Sequence, residues 1–242
     1  IKVCEKDLNN CHKIMYLDPV MKRDLFEGKL KVKDYHYQFI DSENNKFEEY
    51  NKIVLNDANF KDVFFVHNKG IHYEYDKIKK QFNINQTDIN GRSFFFKGEI
   101  KNVNINFNGK ENPGQIIKYD QNNLTGCVSF IKSKFYETSL SAVHANCEDG
   151  INLINSSGTI QNIDVTYSVL DGVDMDFSDV FVKNIRIKQS GNDCIDFSSG
   201  NYSVNKFELE NCGDKAISVG EKTNININDC LLYTSPSPRD WL

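Results

Sequence analysis

Apolar and polar positions alternate in short bursts along most of this chain, and from residue 143 onward the bursts recur at a fixed step. The segments DGINL, DGVDM, DCIDF and DKAISV align so that Ile151, Val173, Ile195 and Ile217 stand 22 residues apart. Leu153, Met175, Phe197 and Val219 keep the same interval, and the position before each segment's first apolar residue, Gly150, Gly172, Cys194 and Ala216, stays small. Ile160, Val182 and Val204, then Ile163, Ile185 and Phe207, then Val165, Ile187 and Leu209, carry the step through three copies. Self-similarity with a period of about 20 to 50 residues marks a stack of repeated units. Strands with two or three inward residues are too short to stand alone. Stacked coil on coil, each strand pairs in parallel with its copy and like apolar residues form interior columns. The pattern predicts an all-β chain built as a single-stranded parallel β-helix, right-handed by the crossover rule. A leucine-rich repeat has a similar period, but its L-x-x-L-x-L framework is absent.

The rest of the chain divides around residues 127–229, the regular coils. Residues 1–108 read as an irregular β-rich part, either a cap or early coils. Within them, Asp18 as N-cap, Pro19 and Gly28 outline a short helix. Runs at Leu30–Phe39, Ile53–Leu55, Phe64–Val66, Phe94–Phe96 and Val103–Phe107 read as short strands separated by Asn, Asp and Gly. They do not fall on the 22-residue step. Residues 109–126, with Pro113 and Gly114, read as a loop or insertion. Residues 230–242, CLLYTSPSPRDWL, leave the repeat and hold two of the four prolines and the only tryptophan. They resemble the translated sequencing adapter found in metagenome-derived reading frames. The expectation is a non-native tail, with further native repeats beyond Asp229 and a native start before Ile1.

Composition narrows the function classes. A net charge of −5 and the lack of a run of clustered basic residues argue against a nucleic-acid partner. No apolar run reaches the length of a membrane span. Of the seven cysteines, Cys194 and Cys212 occupy positions held by Gly, Ala or Ser in other copies and read as small buried residues. Cys4 and Cys11 are open to pairing with each other or to standing as free thiols.

Candidate chemistry lies on the outward positions. Side chains alternate along a strand, so if Val173 and Met175 point in, Asp174 points out, with Asp196 in its place one coil later. A second column at the strand entries reads Asp149, Asp171, Asp193, Lys215. Carboxylates one strand spacing apart, about 4.8 Å, repel, share a proton or hold a cation such as calcium. Acidic residues at strand entries also hydrogen-bond turn backbones, a purely structural use. His144 reads as a surface or turn residue, and Met175 as core.

In order, LDGVDM, GNDCIDF and CGDKAISVG resemble the NTDG, GDDC and C-x-x-GHGISIG motifs of polygalacturonase-type glycoside hydrolases, members of the pectin-lyase-like right-handed β-helix superfold. The resemblance covers residues 127–229. It implies catalytic roles for Asp171 and Asp193, with Lys215 standing where the family has His; the outward Asp174 and Asp196, with Asn192 beside them, are the candidate substrate-binding residues. Asn192 replaces the motif's first Asp, the general acid, and the family's downstream Arg-x-Lys element is expected beyond Asp229. The expected function is a secreted or cell-surface β-helix that binds or processes a uronate-containing polysaccharide as a hydrolase, lyase or epimerase. The alternative is a non-catalytic solenoid used for adhesion or as a spacer.

Overall fold

In the computed structural model residues 2–4, 11–13, 50–111 and 124–233 are described, and every regular element among them is a strand. The helix expected from Asp18 to Gly28, the strand pair expected at Leu30–Phe39 and most of the 109–126 insertion lie outside the described residues. Strands β1 (Lys2–Cys4) and β2 (Cys11–Lys13) pair antiparallel, with Cys4 opposite Cys11.

The body of the protein is a parallel β-solenoid of about six turns. Its first face stacks β8 (Ser93–Phe96), β11 (Gly126–Ile131), β13 (Asp149–Ile154) and the opening segments of β15 (Asp171–Ser190) and β16 (Ile195–Cys212), ending on β17 (Ile217–Val219). The second face begins with β9 (Glu99–Lys101) and the start of β12 (Lys134–Ala145). It continues through the start of β14 (Ser157–Ser168) and the middle of β15 and β16 to the start of β18 (Thr223–Tyr233). The third face starts with β7 (Gln81–Gln86) and β10 (Asn104–Asn108) and runs through the later halves of β12, β14, β15, β16 and β18. At the N-terminal end the stack is closed by antiparallel pairing. There β3 (Tyr50–Leu55) pairs with β5 (Val63–Asn68) and β5 with β8, β4 (Phe60–Lys61) with β9, and β6 (Ile71–Asp76) with β7. Reversed strands of this kind break the run of like edges that a solenoid would otherwise offer.

Register follows the sequence step: Ile151, Val173, Ile195 and Ile217 are direct Cα partners, as are Leu153, Met175, Phe197 and Val219. The parallel stack begins before residue 127, because Phe95 pairs with Phe130 and Ile105 with Leu140. These partners are 35 residues apart since the 109–126 segment intervenes. The interior changes character along the axis. The capped end is aromatic, with Phe60, Phe65, Phe82, Phe95, Phe130 and Phe135 fully buried and Phe95 stacked on Phe130 at 5.0 Å. Toward the other end Ile, Val, Leu and Met columns take over, Met175 among them.

Two of the corners are turned in successive coils by a single left-handed residue. Lys97, Lys132, Asn155, Phe177, Ser199 and Lys222 form one such column, and His144, Tyr167, Gln189 and Asn211 another, all with φ between 48° and 63°. Few of these residue types favour that region, so backbone pairing above and below imposes it. His144 is therefore a corner residue, as expected; it stacks on Tyr167 at 5.0 Å and approaches Glu111 at 3.3 Å.

The reading of Cys194 and Cys212 as merely small buried residues is corrected: they form a disulfide, and Cys127–Cys147 forms a second. The reason lies in the coil. Eighteen residues carry the chain nearly once round, so Cys212 returns to the corner where Cys194 began. One coil earlier, Gly172 and Ser190 hold the same two positions, close enough that a Cβ on Gly172 would lie 2.9 Å from the Ser190 hydroxyl. Cys230 is exposed and unpaired.

Candidate functional site

The six residues singled out from the sequence lie on the first face and at the corner that feeds it. Asn152, Asp174, Asp196 and Ser218 are register partners in one outward column. Asp171, Asp193 and Lys215 head the same strands, each one coil above the last. The structure brings them together as neighbouring rungs, yet their side chains face different tasks.

At the corner, Asp171 Oδ1 accepts the backbone N–H of Asp193 at 2.8 Å and the side-chain amide of Asn192 at 2.7 Å. Asp193 Oδ1 repeats the motif one coil later, accepting the backbone N–H of Lys215 at 2.8 Å. Each carboxylate thus holds the main chain of the next coil at a point where no ladder bond is available, which satisfies a donor that would otherwise be costly to leave unmade. Lys215 then lays its ammonium 3.1 Å from Asp193 Oδ2 and 3.1 Å from Asp214. The hydrogen bonds it donates, to Asp214 first and to Asp193 second, push its pKa above the ordinary lysine value. Asp193 is only 4 % exposed, whereas Lys215 reaches solvent. Burial holds the Asp171 carboxyl above the usual range despite the two hydrogen bonds that favour its charge.

The outward column is less committed. Asn152, fully buried, donates to Asp174 Oδ2 at 2.9 Å, and Asp196 keeps one buried oxygen without a hydrogen-bond partner. Lower on the same face, Ser129 is also fully buried, and Ile131 and Ile154 form a small apolar cluster with Leu124, Phe94 and Phe96. The face is thus covered over the early coils and opens at Asp174. Among the described residues no three His, Cys, Asp or Glu side chains are grouped so as to hold a metal ion.

Two features here go beyond the sequence reading, which named Asp149 only as a member of the strand-entry column. Asp149, one coil below Asp171, is 2 % exposed with Oδ2 unpartnered, and burial, reinforced by the charges of Asp171, Glu148 and Asp176, drives its pKa well up. A hydroxyl ladder also lines the corner after the first face, where Ser156 Oγ accepts from Ser133 N–H and Ser178 Oγ from Ser156 N–H. The Tyr202 hydroxyl stands in for the next rung, accepting from Ser178 N–H at 3.3 Å. The only signal for that ladder is the recurrence of Ser133, Ser156 and Ser178 at intervals of 23 and 22 residues.

No protein family, curated protein or solved structure matches the chain. Among the described residues no helix is long and apolar enough to cross a membrane.

Proposed function

We propose that this protein is a carbohydrate-recognition solenoid of an oxidising, extracytoplasmic setting, and that it does not cleave its ligand. The observation that carries the reading is the use of Asp171 and Asp193 as acceptors for main-chain N–H groups of the coil above. An inverting glycosidase needs a protonated acid and a free base flanking the scissile bond. Here the position of the acid is Asn192, which is spent on Asp171. A lyase or epimerase needs a neutral base, whereas Lys215 is held as an ammonium between two carboxylates. Carbohydrate as the ligand is supported by the resemblance of the LDGVDM, GNDCIDF and CGDKAISVG segments to polygalacturonase-type proteins, and by the long flat faces that stacked coils offer. Two disulfides support the oxidising setting.

The test is incubation of the full chain with uronate and neutral polysaccharides, with and without calcium, following reducing ends and unsaturated products alongside binding. Binding without turnover is the expected result. Turnover that disappears in Lys215→Met, a substitution at a solvent-reaching side chain, would show that the strand-entry column is catalytic and overturn the reading. Absence of binding to every polymer would leave a spacer as the better description.

A further inference from the structure

We infer that the second face of the solenoid is the docking strip for an acidic polysaccharide laid along the stacking axis, its rings over Tyr136 and Phe181 and its carboxylates on Lys101 and Lys134. The inference rests on the reading of the protein as a carbohydrate binder and moves the contact away from the acidic first face.

Strand register builds the strip. Lys101, Tyr136, Thr159, Phe181, Ser203 and Asn226 are successive outward partners in β9, β12, β14, β15, β16 and β18. A parallel column beside them reads Glu99, Lys134, Ser157, Asp179, Asn201 and Asn224. Tyr136 and Phe181 are two rungs apart, about 10 Å at the usual strand spacing. Two sugar rings can stack on them while a third passes over the Thr159 hydroxyl. Above Phe181, which is 40 % exposed, the side chains shorten to Ser203 and Asn226, leaving an open groove of about 390 Å³. The amides along it are fixed in direction: Asn201 donates to Asp179 at 2.7 Å and Asn224 to Asn201 at 3.0 Å. Oriented amides beside an aromatic ring match a sugar's hydroxyl edge and its apolar face.

Charge decides between acidic and neutral polymers. The Lys101 and Lys134 ammonium groups stand 4.9 and 5.2 Å from the Tyr136 ring centroid. Lys97 lies over Phe96 at 5.0 Å, and Lys97 and Lys132 hold neighbouring corner positions next to the strip. Burial, then the charge of Lys97, lowers the Lys132 pKa below its ordinary value. Lys61 adds a fifth lysine, paired in register with Glu99. The neighbouring carboxylates are Glu99, already bonded to Lys101, the corner residues Asp62 and Glu137, and, beside Phe181, Asp179, whose Oδ1 accepts the backbone N–H and side-chain amide of Asn201. On a chain with 34 acidic and 29 basic residues, this is a local reversal of sign. It attracts a polyanion that the Asp171–Asp196 region repels.

The test is calorimetric binding of polygalacturonate and of neutral dextran to the full chain. The variants are Lys101→Gln/Lys134→Gln, Tyr136→Ala, Tyr136→Phe and Phe181→Ala, with Lys188→Gln on the third face as control and thermal unfolding as the check on folding. Wild type should bind polygalacturonate in a salt-sensitive way and dextran far more weakly. The double lysine variant should lose roughly ten-fold in affinity, the scale of two exposed ionic contacts. Tyr136→Ala and Phe181→Ala should weaken binding, with Tyr136→Phe and Lys188→Gln close to wild type. Wild-type-like affinity in all strip variants would overturn the strip while leaving carbohydrate recognition standing. Failure of wild type to bind either polymer would overturn both. Equal affinity for duplex DNA, insensitive to the aromatic substitutions, would make the face a general polyanion surface and overturn the carbohydrate assignment.

Discussion

At the scale of single residues, the acidic side chains of the first face divide by what they touch. Asp171 accepts two hydrogen bonds that tie its coil to the next. Asp171→Ala should therefore destabilise the fold by about 1–3 kcal/mol, the cost of leaving a buried donor unmade, and Asp171→Asn should restore most of it. Urea unfolding checks this, and an unchanged midpoint in Asp171→Ala would remove the structural role assigned to the carboxylate. Asp149 behaves oppositely, since it is buried with an unpartnered oxygen. Its folded pKa lies well above the ordinary 3.8, through burial first. Folding thus favours the protonated form: its stabilising contribution is complete below the unfolded pKa and is lost as pH rises through the folded one. Asp149→Asn should flatten that loss. Its melting temperature on the alkaline side should exceed wild type by about 2–4 °C for each kcal/mol of relieved burial. Melting curves across a pH series decide it, and parallel pH profiles for the two proteins would contradict the assignment.

At the scale of elements, the coil is held by three devices: interior apolar columns, left-handed corners, and two disulfides. The columns are written in the sequence, because an inward position must be apolar in every copy. The corners are not, since Lys, Asn, Phe, Ser, His, Tyr and Gln all serve there. The disulfides fall between these cases. The 18-residue interval separating Cys194 from Cys212 is visible, but it means proximity only once the chain is known to return after a coil. Replacing both by Ser should cost about 3 kcal/mol, as expected for a loop of this length. Denaturant unfolding of Cys194→Ser/Cys212→Ser against wild type measures it, and equal stability would show that the ladder bonds alone hold that corner. The Cys127–Cys147 bond stands where the chain re-enters the stack after the insertion.

At the scale of the whole molecule, an irregularity in chain length hides a regular stack. The first coil, with Phe95 and Ile105, is in register with the second, but the 109–126 segment stretches the interval to 35 residues and erases the period from the sequence. The same offset conceals the lysine strip. Lys61, Lys97, Lys101, Lys132 and Lys134 form no basic run, and they gather because β4, β9 and β12 lie side by side. By itself the sequence determined what is repeated at constant step: the all-β solenoid, its inward columns and the alignment of Asp171, Asp193 and Lys215. Those follow from local alternation, which any copy of the unit reveals. Only the tertiary structure decided which way each aligned side chain is spent. Whether an aspartate faces solvent or a backbone N–H, whether two cysteines meet, and whether distant lysines share a face all depend on where the chain turns its corners. Those corners are imposed by pairing with the coils above and below, and leave no residue-type signature of their own.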